Sequence, residues 1–476
     1  MTSRVYSLTA LAMLLAACAE PPVTPLPVVN GGGHVASVSG DRSYLVLMNG
    51  NSVSSGFSLT VGSVGGTVTA TYDKIGIAVV SSSNPDFASK AAALKGVQEV
   101  LPNVVLQYSM PRVLDEISSD ATPPAGQYSA LGSSESFRAL QWAPDAVHAP
   151  DAWATTQGQG ARVAIVDGGM ASGHIDIAAN LDVAHSRSFV AGFNFNQDVG
   201  TFWHATHVGG IVAAPINGIG IVGIAPRATL ISVKALHNGS GDFGAVIGGI
   251  YYAATPIAEG GAGANVINMS LGATLLKNGI DGQYTAHDAN SLINALSRAT
   301  SYANQRGVVV VASAGNSAID LDHTADVVSV PAQSVGVVTV AATSPVGWAA
   351  GSTNLDVPTT YTNYGQSAID FGAPGGDTAY PFNTSCTIIG ITRPCWLFDA
   401  VLSASSGVGS YAWATGTSMA APVVSGVAAL IVSQHPTWGQ AKVEAALRAS
   451  ADDLGKPGND DFYGAGRVNA ARAVQQ

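Results

Sequence analysis

The 476-residue sequence has few charged residues and no excess of basic ones. Charged residues make up 11% of the chain, and the acidic ones outnumber the basic ones to give a formal net charge of −11. A nucleic-acid-binding protein would show a basic patch, so this composition argues against that class. Hydrophobic residues at 47% and 55 glycines are instead typical of a packed, loop-rich globular protein.

Long apolar stretches are also scarce, and the sequence predicts no transmembrane helix. A run of about 13 apolar residues follows Arg4, which is too short to span a bilayer and fits a secretory signal. Its last residues, 15–18 (LAAC), resemble the lipobox of bacterial lipoproteins. That resemblance implies a signal peptide over residues 1–18 and lipidation of Cys18. The alternative is an ordinary signal cleavage site.

Cysteine is scarce too, since only Cys386 and Cys395 follow the N-terminal segment. Two thiolates do not complete the tetrahedral shell of zinc, which excludes a cysteine zinc site. In an exported chain, two cysteines about ten residues apart between loop-forming residues predict a small disulfide.

The first part of the chain divides by composition into a tether, a compact unit and a linker. Proline and glycine in residues 19–42 predict a flexible tether. Residues 116–140 are rich in Ser, Pro, Gly and Ala, which predicts an exposed linker with a processing site. Residues 43–115 between them predict an α+β unit. Its strands are expected near 43–48, 67–72, 75–80 and 97–108, with a helix near 85–96.

Residues 141–476 predict an α/β domain with a mainly parallel sheet. Short, continuous apolar runs are typical of strands buried on both faces. They occur near residues 163–166, 230–234, 266–269 and 308–312, with helical stretches near 243–258 and 290–305. In such sheets, functional sites lie beyond the carboxyl ends of the strands.

The stretch 416–422 (GTSMAAP) places Ser418 among small residues where a loop becomes a long apolar helix. Unpaired N–H groups and the positive end of the helix dipole favour a developing negative charge there. Small neighbours let a polypeptide approach the hydroxyl. The alternative is that Ser418 only caps the helix. A nucleophilic serine needs a base and an orienting acid from elsewhere in the chain.

Asp167 and His204 are candidates for these two partners. Asp167 directly follows the first predicted strand of the domain, although Asp before Gly is also common in turns. His204 begins the small-residue stretch 204–210 (HATHVGG), in which His207 is assigned a packing role. The two histidines do not predict a metal site, because no acidic partner of the HExxH type accompanies them.

The order Asp167, His204, Ser418, with the blocks around them, resembles the subtilisin-like serine proteases from Gln141 to the end of the chain. The resemblance implies Ser418 as nucleophile, His204 as general base and then acid, and Asp167 as the residue that orients the imidazole. It also implies Asn316 as an oxyanion donor. The substrate-binding residues that it implies are Ser270, Leu271, Gly272, Ser313, Ala314 and Gly315.

Two positions depart from the family pattern. Ala205 stands where Gly usually follows the histidine, and alanine is harmless there if the backbone is helical. Gly168 stands where Ser or Thr usually follows the aspartate, which removes a hydroxyl but leaves the acid.

The resemblance further implies a propeptide and a calcium site, with no cofactor for catalysis. Residues 43–115 resemble the ferredoxin-like, inhibitor I9-type propeptide, which implies an intramolecular chaperone and inhibitor. Gln141, Asp176 and Asn217 match side-chain ligands of the family's main stabilising calcium site, whose oxygen ligands suit that hard cation. The alternative is that Asp176 and Asn217 are turn residues.

These features together predict an exported, monomeric serine endopeptidase, made as a self-processing zymogen, that hydrolyses protein or peptide substrates through an acyl-enzyme. It would be synthesised as a bacterial cell-envelope lipoprotein precursor, touch the membrane only through its lipid anchor, and release an extracellular mature peptidase. One alternative is an inert, lipid-anchored surface-binding protein with a subtilisin-like module. An esterase or lipase is disfavoured, because no Gly-x-Ser-x-Gly elbow surrounds Ser418.

Overall fold

The computed structural model describes residues 42–108, 110–118 and 135–476. The predicted signal segment, Cys18 and most of the tether and linker lie outside these ranges. The N-terminal part is an antiparallel sheet of strand order β2-β3-β1-β4 with two short helices. Its elements are β1 (Arg42–Met48), α1 (Phe57–Gly62), β2 (Thr67–Tyr72), β3 (Ile77–Ser82), α2 (Phe87–Ala92) and β4 (Val97–Pro102).

Two further strands, β5 (Val105–Gln107) and β6 (Arg112–Ser118), follow this unit and pair with the C-terminal part of the chain. The strands of that part are β7 (Arg162–Asp167), β8 (Arg187–Ser188), β9 (Thr229–Lys234), β10 (Ser240–Asp242), β11 (Val266–Met269), β12 (Ala273–Leu276), β13 (Gly279–Ile280), β14 (Tyr284–Thr285), β15 (Val309–Ser313), β16 (Val327–Val330), β17 (Val337–Ser344), β18 (Val357–Pro358), β19 (Phe371–Pro374), β20 (Ser385–Ile388), β21 (Ile391–Pro394), β22 (Val401–Ala404) and β23 (Ser410–Thr415).

The core of the C-terminal part is an eight-stranded sheet of order β18-β17-β15-β11-β7-β9-β8, with β19 also beside β17. All of its pairings are parallel except that of β17 with β18. The four central strands are mostly apolar and almost wholly buried, because helices cover both faces of the sheet. The helices of this part are α3 (Ala143–Ala146), α4 (Ala149–Ala152), α5 (His204–Ala213), α6 (Phe243–Ala254), α7 (Ala286–Gln305), α8 (Thr417–Gln434), α9 (Gln440–Ser450) and α10 (Ala470–Ala473).

Helix α8 is the central helix of this core. It packs against α5 and against β11, β15 and β17. Its 18 residues, with a mean hydropathy of 1.4, are long and apolar enough to cross a membrane, yet 89% of them are buried inside the protein. A helix that is apolar on all sides is a core helix when other elements surround it.

The N-terminal sheet is buried on both faces, and the alternation along β1 shows how. Val46 packs with Phe57 and Phe87 of helices α1 and α2. Leu45 and Leu47 face the other way and share one apolar cluster with α6 and α7. Successive side chains of a strand point to opposite faces of the sheet. A strand that is buried on both faces therefore has apolar residues at consecutive positions.

The predicted α/β class with a mainly parallel sheet is confirmed. Strands β7, β9, β11 and β15 lie at the apolar runs that predicted them. Helix α1 was not predicted, because its six residues are too few to show a helical period. Residues 135–140, assigned to the linker, include the buried side chains of Phe137, Arg138 and Leu140. The remaining domain boundaries stay predictions.

Candidate active site

Asp167 and His204 meet at the carboxyl end of the central sheet. Asp167 is the last residue of β7, and His204 is the first residue of α5. The His204 Nδ1 atom lies 2.8 and 2.9 Å from the two carboxylate oxygens, and both side chains are almost fully buried. A carboxylate only accepts hydrogen bonds, so Nδ1 carries the proton in this pair.

The other ring nitrogen of His204 is therefore the acceptor in the neutral imidazole. Among the described residues, Nε2 is buried and has no hydrogen-bond partner. An unpaired buried acceptor costs free energy, and such atoms concentrate at sites where a partner arrives during the reaction.

Ser418 lies in the first turn of α8, and a proline farther along the helix shapes its surroundings. Pro422 has no N–H, so the Ser418 carbonyl lacks the usual helical donor four residues ahead. The Ser270 hydroxyl donates to this carbonyl instead, at 2.7 Å. In return, the Ser418 hydroxyl donates to the Ser270 carbonyl at 3.0 Å. Ser270 and Ser418 are thus fixed to each other across 148 positions of sequence.

Asn316 is oriented by the residue that precedes Ser418. Its Oδ1 atom accepts from the Thr417 backbone N–H at 2.9 Å and from the Thr417 hydroxyl at 2.7 Å. Since the oxygen end of the amide is used in this way, the NH₂ end is the one left to donate to a ligand. Thr417, which the sequence analysis did not single out, is the residue that decides which end of Asn316 is free.

The two predicted substrate-binding segments face each other. A Cβ added to Gly272 would lie 3.5 Å from the Gly315 Cα atom and 3.6 Å from the Ser313 carbonyl oxygen. Gly315 has a φ of +107°, and a Cβ there would lie 2.4 Å from Asn363 Nδ2. Only glycine fits that combination of backbone and space. Leu271 and Ala314 are buried beside these glycines, in adjoining apolar clusters.

Gly168 is explained by a neighbour that sequence reasoning missed. A Cβ at Gly168 would lie 2.4 Å from a carboxylate oxygen of Asp198. Burial raises the pKa of Asp198, and the negative charge of Asp167 adds to this, while Lys234 opposes it. The Lys234 ammonium donates to the carbonyls of Gly168 and Leu236. A second carboxylate therefore occupies the space that a side chain at Gly168 would need.

Ala205 and His207 take the positions that the sequence suggested for them. Ala205 lies inside the first turn of α5, where alanine is the most favourable residue for a helix. His207 is buried, and its Nε2 atom lies 2.9 Å from the Ala412 carbonyl. Burial lowers the pKa of His207 to about 3, which keeps the ring neutral. The geometry of His207 fits packing rather than catalysis.

The N-terminal part approaches the site through β5. This strand pairs antiparallel with β10, so that Leu106 lies opposite Gly241. The Tyr108 backbone N–H extends the pairing by donating to the Gly239 carbonyl at 2.9 Å.

The chain leaves the site through β6, which pairs antiparallel with β23 and places Arg112 opposite Thr415. A Cβ added to Gly416 would lie 3.3 Å from the Cβ of Pro111. Pro111, which lies between β5 and β6, is therefore beside Gly416, two residues before Ser418. The sequence gives no signal for this placement, because strand pairing over such distances is set by the fold.

The profile of the subtilase family matches residues 158–466 of this chain, which include Asp167, His204 and Ser418. The chain belongs to the subtilase family. As a subtilase it is a subtilisin-like, serine-type endopeptidase. Thermitase of Thermoactinomyces vulgaris is 33% identical over 345 residues, covering 71% of this subtilase and 97% of the relative. Subtilisin DY of Bacillus licheniformis is 31% identical over 326 residues, covering 67% of this subtilase and 92% of the relative.

A solved structure extends the similarity to the N-terminal part of this subtilase. The epidermin leader peptide processing serine protease of Staphylococcus aureus aligns with a TM-score of 0.71, over 91% of this chain and 98% of that one. The two sequences are 20% identical, so the match shows a shared fold.

The residues predicted as calcium ligands lie near one another, but protein donors occupy their oxygens. Asp176 accepts from the Asn217 amide at 3.0 Å, the Ile221 N–H at 3.0 Å and the Tyr411 hydroxyl at 2.7 Å. The Gln141 amide pairs at both ends with the backbone of Val222, at 3.0 Å each. Asn217 turns its NH₂ group toward Asp176, which places a donor where a cation would need an oxygen. In this arrangement the three side chains do not fit a calcium ion.

The predicted disulfide is present. Cys386 and Cys395 are bonded, and the bond closes the hairpin of β20 and β21. Within the described ranges there is no group of three or more His, Cys, Asp or Glu side chains that could hold a metal ion.

Proposed function

We propose that this subtilase is the self-processing precursor of an exported endopeptidase, with Ser418 as nucleophile, His204 as general base and then acid, and Asp167 as the orienting acid. The observation that carries the proposal is the path of the chain itself. A segment of the precursor pairs as a strand before and after Pro111, which lies beside Gly416, two residues before Ser418. An extended polypeptide bound in this way is the substrate form that an endopeptidase requires.

The reaction follows from the groups at this point. The Ser418 hydroxyl rotates away from the Ser270 carbonyl, gives its proton to His204 Nε2 and attacks the peptide carbonyl carbon. The imidazolium then gives that proton to the amide nitrogen as the C–N bond breaks, and the amine fragment leaves. Water, deprotonated by the same nitrogen, then attacks the ester carbonyl. His204 returns this proton to the Ser418 oxygen as the ester C–O bond breaks, which releases a carboxylic acid. Asp167 keeps the ring in the tautomer that leaves Nε2 free.

The negative oxygen of the tetrahedral intermediate requires donors. The NH₂ end of Asn316 is available because Thr417 occupies its oxygen. The Ser418 backbone N–H, in the first turn of α8, is a second donor. Donors that are already oriented cost no rearrangement during the reaction.

The first cut is proposed between Tyr108 and Arg112, because this part of the chain passes beside Gly416. A cut in the linker at residues 116–140 remains a second proposal. Either cut separates the catalytic part from Cys18 and so from any lipid anchor.

Export and the lipoprotein signal are proposed from the N-terminal sequence alone, and protein or peptide chains are the proposed substrates. Structural calcium is not included, because the predicted ligands are engaged by protein donors.

The test is the intact mass of the purified protein beside its Ser418→Ala variant, both produced with export. We expect the parent to lose its first 108 to 111 residues and the variant to lose only its signal segment. The mass difference between a cut at that point and one in the linker separates the two proposed positions. A melting temperature measured on the variant verifies that it is folded.

Two results would count against the proposal. If both proteins keep the N-terminal part and neither cleaves casein, the chain is the inert binding module that the sequence left as an alternative. If both are trimmed alike, another protease makes the cut and the precursor does not process itself. No observation in the structure favours the inert module.

A further inference from the structure

The edge of β23 carries a bound strand on the side of the site where the amine fragment leaves. Since β6 runs antiparallel to β23, residues that follow the proposed cut extend along β23 away from Ser418. Ile117 is buried in the main core cluster, and Leu114 packs against it. β6 is thus the third strand of the β22–β23 sheet.

One charged contact fixes the register of this strand. The Arg393 Nε atom lies 2.6 Å from an Asp115 carboxylate oxygen. Arg393 is on β21, in the hairpin that the Cys386–Cys395 disulfide closes. Strand pairing and the disulfide therefore restrict the movement of its backbone. Asp115 lies opposite Trp413, three residues beyond Arg112. A guanidinium held in place is suited to select a carboxylate at one position of a bound peptide.

The neighbouring charge on β6 has no comparable contact. Glu116 follows Asp115 and its side chain is exposed, which is expected because successive side chains of a strand point to opposite faces. No ion pair of Glu116 is found among the described residues. The strand therefore carries two adjacent acids, of which only one meets a cation.

We propose that the β23 edge and Arg393 form a peptide-binding subsite for the leaving-group side of substrates, with a preference for an acidic residue, and that Asp115 is its occupant in the precursor. This inference rests on the proposed endopeptidase activity. It makes Arg393 a specificity-determining residue that contributes to binding of the departing fragment. Once β6 has been cut away in the linker, the C-terminal fragment of a substrate lies along the same edge before it dissociates.

A charge exchange between enzyme and peptide tests the subsite. The probes are a fluorogenic peptide with the sequence of residues 105–118 and two versions of it carrying Asp115→Arg or Glu116→Arg. The enzymes are the parent and its Arg393→Asp variant, each isolated after cleavage in the linker that follows β6, so that β6 no longer occupies the edge. For the parent we expect Asp115→Arg to lower kcat/KM at least about threefold to fivefold, the range of a partly exposed ion pair. Glu116→Arg should leave kcat/KM within about twofold.

The decisive result is a reversed peptide preference in the Arg393→Asp enzyme. Arg393→Asp should cleave the unchanged peptide more slowly than the parent does, and should recover on the Asp115→Arg peptide. Equal rates for all peptides with the parent would overturn the subsite while leaving the endopeptidase activity established. A slow Arg393→Asp enzyme without recovery would overturn it too, since the arginine would then act only on stability. A peptide of residues 105–112, which lacks the acid, provides the folding control and should be cut equally by both enzymes.

Discussion

Pro422 shows how a single residue without an N–H group can connect two distant segments. It leaves the Ser418 carbonyl without a helical donor, and the Ser270 hydroxyl takes that place at 2.7 Å. The Asn268 amide supports the same hydroxyl at 2.9 Å. Ser418 is therefore positioned by the segment that we expect to bind substrate, so that substrate binding and Ser418 orientation share one set of bonds.

Asn316 allows the oxyanion role to be separated from a structural role. Asn316→Ala removes both ends of the amide, whereas Asn316→Asp keeps an oxygen that accepts from Thr417 and replaces the donor with a negatively charged acceptor. We expect both variants to lower kcat for a peptide substrate by about 100- to 1,000-fold with little change in KM. Steady-state kinetics on the processed enzymes provide the measurement. An Asn316→Asp enzyme with near-parent kcat would show that the side chain only holds Thr417.

The loop at residues 215–222 is held by two buried acidic side chains. It is fastened by Asp176, which accepts from Asn217, Ile221 and Tyr411, and by Glu135, which accepts from two backbone N–H groups of the loop at 2.8 and 3.0 Å. Burial raises the pKa of Asp176 to about 6. Hydrogen bonds to Asp176 and Glu135 thus hold this loop in place.

Chelation tests this description of the loop. We expect the melting temperature of the Ser418→Ala protein to be unchanged in excess chelator, because no ligand that favours the folded state is removed. The inactive background prevents self-digestion from affecting the measurement. A clear fall in melting temperature, restored by added calcium, would instead support the calcium site predicted from the sequence.

The pH dependence of stability provides an independent prediction for Asp176. A carboxyl whose pKa is higher in the folded state binds its proton more tightly there, so its stabilising contribution is present below pH about 4 and is lost as the pH rises through about 6. In the Ser418→Ala background, the free energy of unfolding should fall over this interval by about 3 kcal/mol more than in a protein that also carries Asp176→Asn. Denaturant titrations from pH 4 to 7 provide the comparison, and parallel curves would contradict it.

At the scale of the whole molecule, the N-terminal part and the catalytic part share one hydrophobic cluster. One face of the small sheet covers α6 and α7, and polar contacts surround this area. The Tyr72 hydroxyl donates to the Gly244 carbonyl at 2.7 Å, and Asn103 accepts from the Gly244 N–H at 2.9 Å. Both contacts are made to the first turn of α6, and the Asn103 oxygen satisfies one of the N–H groups that have no partner within the helix. The proposed propeptide is thus docked independently of the segment that passes Ser418.

Tyr72→Phe should weaken this docking after the chain has been cut. The variant removes the hydroxyl that donates to the buried Gly244 carbonyl, so we expect the non-covalent complex of the two parts to last about two- to tenfold less long. Size-exclusion chromatography at timed intervals after processing measures that lifetime. Tyr44→Phe is the matched control, because Tyr44 packs against Phe87 within the N-terminal part, with ring centroids 5.0 Å apart. Equal lifetimes for the two variants would contradict the prediction.

The sequence by itself determined the fold class and the residues of the candidate site. Apolar runs and the motifs around Asp167, His204 and Ser418 are local patterns, and each depends on a few adjacent residues. The same is true of the Cys386–Cys395 bond, whose partners are nine residues apart. Local patterns can be interpreted without knowing which distant segments come together.

Only the tertiary structure decided what surrounds these residues. The placement of β6 on β23 joins positions about 300 apart in sequence, and the acid that occupies the space beside Gly168 comes from a different loop. The oxygens of Asp176 meet Tyr411, 235 residues away, in place of the expected cation. Such contacts form because folding brings whole elements together, and no periodicity or motif within either segment records its partner.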